Sequence, residues 1–173
     1  QAQASAPTTA NQFGIGIINF DNGTIDATTI LMAISSLNAF NNGTATITVG
    51  TNATLATSGT LIVGTGGISL ANQGALGSSI GNLNISGGSV ICSGAIGKAT
   101  LLGLGSINIT NGTLSASNTI GTLAIPLTAL NISNGIVNMT ASSSTTNAVV
   151  GTLNALAGAP NIINITALPV IPV

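Results

Sequence analysis

Few side chains here can do chemistry: Asp21, Asp26, Lys98 and Cys92, in a chain of 173 residues with no Glu, Arg or His. General acid–base catalysis and metal binding call for clustered titratable or charged groups. Asp21 and Asp26 are an odd number of positions apart, which sets them on opposite faces of one strand, and Asn22-Gly23 between them is a turn signal. They are read as turn and solvent-facing residues. Without histidine there is no Ser–His or Cys–His nucleophile, and a Ser–Lys pair would have to use Lys98, which is read as a surface residue. Gly66-Gly67 and Gly87-Gly88 do not sit between a strand and a helix with a following lysine, as a phosphate loop would. The expectation is therefore no enzyme, no catalytic or metal-binding residue and no cofactor. Cys92 has no internal disulfide partner; in Ser89-Val90-Ile91-Cys92-Ser93 it reads as a small buried apolar residue, the alternative being an intermolecular bridge.

One modification motif is in excess. Asn-x-Ser/Thr triplets begin at Asn22, Asn42, Asn52, Asn84, Asn108, Asn111, Asn131, Asn138 and Asn164, each a candidate glycosylation position in an organism that glycosylates. A chain so rich in Asn, Ser and Thr also generates such triplets unaided, and four of them fall inside a repeated strand motif, which favours the structural reading.

That repeat is the element that must position everything else. Apolar-Asn-apolar-(Ser/Thr)-(Gly/Asn)-Gly occurs as Leu83-Asn84-Ile85-Ser86-Gly87-Gly88, Ile107-Asn108-Ile109-Thr110-Asn111-Gly112 and Leu130-Asn131-Ile132-Ser133-Asn134-Gly135. Ile18-Asn19-Phe20-Asp21-Asn22-Gly23 is an early variant and Ile163-Asn164-Ile165-Thr166 opens a late one. With weaker copies at Ile47 and Leu61, strand starts recur about every 23 residues, irregularly. Each copy alternates apolar and polar residues and then meets a Gly or Asn suited to positive φ, and a second alternation follows, as in Ser89-Val90-Ile91-Cys92 or Thr113-Leu114-Ser115-Ala116. A third segment carries Gly after a β-branched residue: Ile80-Gly81, Ile96-Gly97, Ile120-Gly121 and Val150-Gly151.

Two or three short strands per repeat describe one coil of an all-β parallel β-helix, or β-solenoid. One coil cannot bury its own Ile, Leu and Val, but coils stacked about 4.8 Å apart align like on like, with outward Asn, Ser and Thr free to form ladders. The expected organisation is an N-terminal arm over 1–12, a solenoid over 13–166 and an extended tail over 167–173, where Pro169 and Pro172 remove ladder donors. Apolar residues at 30, 31, 34 and 37, within Thr28–Phe40, predict a short helix capping the first coil. The alternative fold is a β-sandwich, pilin-like subunit completed by a neighbour's strand.

Composition narrows the function classes. Hydrophobic residues make up 45% and charged residues 2%, with net charge −1, the reverse of a disordered chain. One lysine cannot neutralise a phosphate backbone, which excludes nucleic acid as a principal partner. No apolar run reaches the roughly 18–20 residues of a membrane-spanning helix. The opening Gln1-Ala2-Gln3-Ala4-Ser5-Ala6-Pro7 suits the position just after signal-peptide cleavage, so a secreted or cell-surface location is expected.

The phrase Leu83-Asn84-Ile85-Ser86-Gly87-Gly88-Ser89-Val90 and its echoes, over about residues 44–166, resemble bacterial autotransporter passengers and filamentous-haemagglutinin-like surface proteins. The resemblance implies a right-handed parallel β-helix at the cell surface and carries over no functional residue; the chain is much shorter than such passengers and poorer in charge. A solenoid leaves unpaired strand edges and apolar interior at its ends, and almost no charge is present to blunt them. The expected role is a structural subunit of an extracellular fibre or surface layer, a homopolymer joined end to end or by strand donation. The competing expectation is an adhesin binding cell-surface glycans or another surface.

Overall fold

The computed structural model describes residues 13–34, 42–50, 59–72, 79–140, 148–156 and 160–165. Among these, every regular element is a strand: β1 Phe13–Phe20, β2 Thr24–Leu31, β3 Asn42–Val49, β4 Thr60–Ala71, β5 Ser79–Ser86, β6 Ser89–Cys92, β7 Ile96–Lys98, β8 Leu104–Thr110, β9 Thr113–Ala116, β10 Leu127–Ser133, β11 Ile136–Met139, β12 Val150–Ala155 and β13 Ile162–Ile165. The first sheet stacks β1-β3-β5-β8-β10-β12 and the second β2-β4-β6-β9-β11-β13, with β7 beside β4. All pairings between strands are parallel. The described residues thus form a parallel β-solenoid of six levels, each contributing one strand to each sheet. A sandwich would need antiparallel pairing, so that alternative is set aside.

Alternation decides which side chains face in. On the first sheet, Ile18, Ile47, Leu83, Ile107, Leu130 and Leu153 form one inward column, and Phe20, Val49, Ile85, Ile109, Ile132 and Ala155 a second. Facing them on the second sheet are Ile25, Leu61, Val90, Leu114, Val137 and Ile163, then Ala27, Val63, Cys92, Ala116, Met139 and Ile165. A third wall is built by Ile68, Ile96, Ile120 and Ala148, joined by parallel pairing or single bridges. From the third to the fifth level the inward residues of both sheets are buried, each removal from water being worth roughly 1.5–3 kcal/mol for a large aliphatic side chain.

The (Gly/Asn)-Gly corner has two separate causes. Gly87, Asn111 and Asn134 take φ of 87°, 53° and 52°, the left-handed region that Gly adopts freely and Asn tolerates. The glycine that follows leaves room for the level before: a Cβ on Gly88, Gly112 or Gly135 would come within 2.7, 2.6 and 2.5 Å of the side chains of Val49, Ile85 and Ile109.

Three expectations change. The described part of Thr28–Phe40 is not helical: Thr28–Leu31 completes β2 and pairs with β4 across a register shift between Ala27 and Thr29. Ladder pairing with a neighbouring strand outweighs the helical spacing of 30, 31 and 34 in the described stretch; residues 35–40 lie outside the described residues. Leu61 and Ile163 belong to the second sheet, while the sixth copy in the first sheet is Leu153-Asn154-Ala155. The Ile-Gly and Val-Gly pairs are not one element, since Ile96 and Ile120 stand in the third wall whereas Ile80 and Val150 lie in first-sheet strands. The proposed arm and tail, 1–12 and 167–173, fall outside the described residues. No helix among the described residues is long and apolar enough to cross a membrane.

Candidate functional site at the ladder and the open ends

The polar face of the first sheet is organised by one column, Asn19, Thr48, Asn84, Asn108, Asn131 and Asn154. Asn108 Nδ2 donates to Asn84 Oδ1 at 2.8 Å, Asn131 to Asn108 at 2.6 Å and Asn154 to Asn131 at 2.7 Å. A second ladder joins Asn134 to Asn111 at the corner, and a third joins Asn164 to Asn138 at 2.8 Å on the second sheet. In each bond the amide nitrogen of the later level donates to the oxygen of the earlier one.

Six sequon asparagines, Asn84, Asn108, Asn111, Asn131, Asn138 and Asn164, are therefore ladder members. The nitrogen a glycan would occupy is already a donor at Asn108, Asn131 and Asn164. Asn22 lies apart, its Oδ1 accepting from Gly23 N–H at 2.8 Å in the exposed β1–β2 turn. Asn42 opens β3, and Asn52 lies outside the described residues.

The sparse chemical groups are placed singly. Asp21 lies in the β1–β2 turn and Asp26 on β2, both exposed and both on the first level. Cys92 is fully buried in the inward column between Val63 and Ala116, its thiol directed at Gly94 O at 3.2 Å, and burial pushes its pKa up. Lys98 is half-buried rather than a free surface residue. Its Nζ lies 3.4 Å from Thr128 Oγ1 and 3.5 Å from Leu101 O, and burial lowers its pKa. Among the described residues no group of three potential metal ligands occurs.

The features that stand out are the two ends. At the first level a cavity of about 590 Å³ opens between the sheets, lined among others by Ile18, Ile25, Ile30, Leu31, Met32 and Ile47. At the sixth level Leu153, Ile163 and Ile165, which occupy inward columns, are 52%, 41% and 59% exposed. Sequence reasoning anticipated open ends in general but not which residues line them, because it had missed Leu153 as the last member of its column.

The fold and this surface define a parallel β-solenoid protein with amide ladders on its flanks and apolar interior at both ends. In comparisons with known proteins, no family model matches the chain, and no curated protein or solved structure matches it significantly.

Proposed function

We propose that the chain is a non-enzymatic structural subunit that assembles with copies of itself into an extracellular fibre or surface layer. The observation that carries this reading is the exposure of inward-column residues at both ends of a solenoid whose middle levels are fully closed. Parallel strand edges left unpaired beside apolar surface form a template for further strands. With only three charged side chains, little electrostatic repulsion opposes association. The scarcity of charge also gives such a material little dependence on salt.

Electron microscopy of the full chain at neutral pH tests the reading. Filaments or layers with a repeat of about 4.8 Å along the solenoid axis are expected. Dispersed single particles at all concentrations would sink it.

A further inference from the structure

We infer that the sixth level of one copy docks on the first level of the next in a single register, with Asn154 over Asn19. This rests on the self-assembly proposed above and supplies its geometry; the partner at the open ends is a second copy of this chain.

Extending both sheets by one step brings four inward pairs together: Leu153 with Ile18, Ala155 with Phe20, Ile163 with Ile25 and Ile165 with Ala27. Small meets large in two of them and aliphatic meets aliphatic in the others. A one-residue slip would turn every inward side chain outward. Slipping two residues one way sets Leu153 against Phe20 and leaves Ile18 opposite Gly151; the other way sets Ile165 against Ile25 and Leu153 opposite Gly16.

Polar groups point to the same step. The ladder runs from each Nδ2 to the Oδ1 of the level before, so Asn154 turns its Oδ1 toward the next level, where Asn19 of a following copy brings an amide donor. At the corner, Thr60, Ser89, Thr113, Ile136 and Ile162 N–H donate to the carbonyls of Gly23, Gly59, Gly88, Gly112 and Gly135 at 2.9–3.0 Å. That column starts on the N–H of Thr24 and finishes on the carbonyl of Asn161, a donor at one end and an acceptor at the other. Asp26 falls over Asn164, whose Nδ2 already donates to Asn138, so this pair adds no hydrogen bond to the step. Joining two like ends would bring acceptor to acceptor or donor to donor.

Two single variants, Asn19→Cys and Asn154→Cys, each in a Cys92→Ala background and each at an exposed outward position, test the register. Neighbouring strands hold facing residues within disulfide reach. Under mild oxidation the mixture is expected to give a 19–154 disulfide dimer as its main product, with little covalent dimer from either variant alone. Like-with-like dimers from the single variants, or wild-type filaments without the 19–154 link in the mixture, would overturn the register while leaving self-assembly standing. A wild-type chain that never assembles would remove both. Circular dichroism checks that each variant folds. Ala155→Trp, at an exposed end position, is expected to abolish filaments, whereas Ala124→Trp, in an exposed loop, leaves them; equal effects from the two would also overturn the docking.

Discussion

The third, fourth and fifth levels and the two outer ones are built from the same phrase with opposite results. Ile107-Asn108-Ile109 buries both isoleucines in the middle of the stack, whereas in Ile18-Asn19-Phe20 of the first level Ile18 is 44% exposed. Residue type is not the cause. A level of a solenoid is covered only by its neighbours, so stability is a sum of adjacent interfaces, and an outer level lacks one of them.

Paired substitutions along single columns put that contrast at risk. The largest difference is expected between Gly81→Ala and Gly151→Ala, members of one first-sheet column. A Cβ on Gly81 would collide with the Leu70 carbonyl, whereas on Gly151 its nearest neighbour is Thr128 O at 3.1 Å. Urea unfolding of the monomer should show a loss of about 3 kcal/mol or more for the first and about 1 kcal/mol or less for the second. Next, Ile107→Ala should cost about 2–5 kcal/mol, against about 1 kcal/mol for Ile163→Ala in the monomer. If assembly covers the ends, the Ile163→Ala cost rises in filaments, and equal costs in both states would weaken the end-surface argument.

Smaller again is the ladder. Asn108→Ala removes bonds to both neighbours and should cost about 1–2 kcal/mol, while Asn154→Ala, with one bond, should cost about 0.5 kcal/mol by thermal unfolding. The smallest effect is on pH dependence. Burial holds the Cys92 pKa above the ordinary thiol value of 9.0. Above pH 9 the unfolded chain releases that proton while the folded chain keeps it, so stability falls as pH rises further. Cys92→Ala should flatten this alkaline decline; an unchanged decline would place its origin elsewhere.

Much of the middle was legible because Leu83, Ile107 and Leu130 repeat at nearly constant spacing with the same Asn and Gly companions. Cys92 could be read as buried because it is a free cysteine beside Val90 and Ile91 in a strand-like segment, a setting in which cysteine behaves as a small apolar residue. Legibility failed where the phrase decayed. After Leu153-Asn154-Ala155 the sequence has Leu156-Ala157 where the phrase carries Ser/Thr and then Gly/Asn, while Ile163-Asn164-Ile165 imitates a first-sheet strand but pairs with β11 of the second; counting forward from Leu130 by the spacing of its ladder would have found Leu153. Apolar residues at 30, 31 and 34 suit a helix or a strand face, and only pairing with β4, distant in sequence, decides between them. The open ends were not written in any local pattern, since Ile18 and Leu83 differ in exposure through what lies above and below them.

The common direction of the amide ladders has an electrical consequence. Backbone hydrogen bonds run both ways along the axis, as in Thr60 N–H to Gly23 O and Gly87 N–H to Thr110 O, and their dipoles largely cancel. The side-chain amides of Asn108, Asn131, Asn134, Asn154 and Asn164 all point their N–H bonds toward the first level. Their dipoles add, giving the solenoid a field with its positive pole where Asp21 and Asp26 sit, much as acidic residues favour the start of a helix.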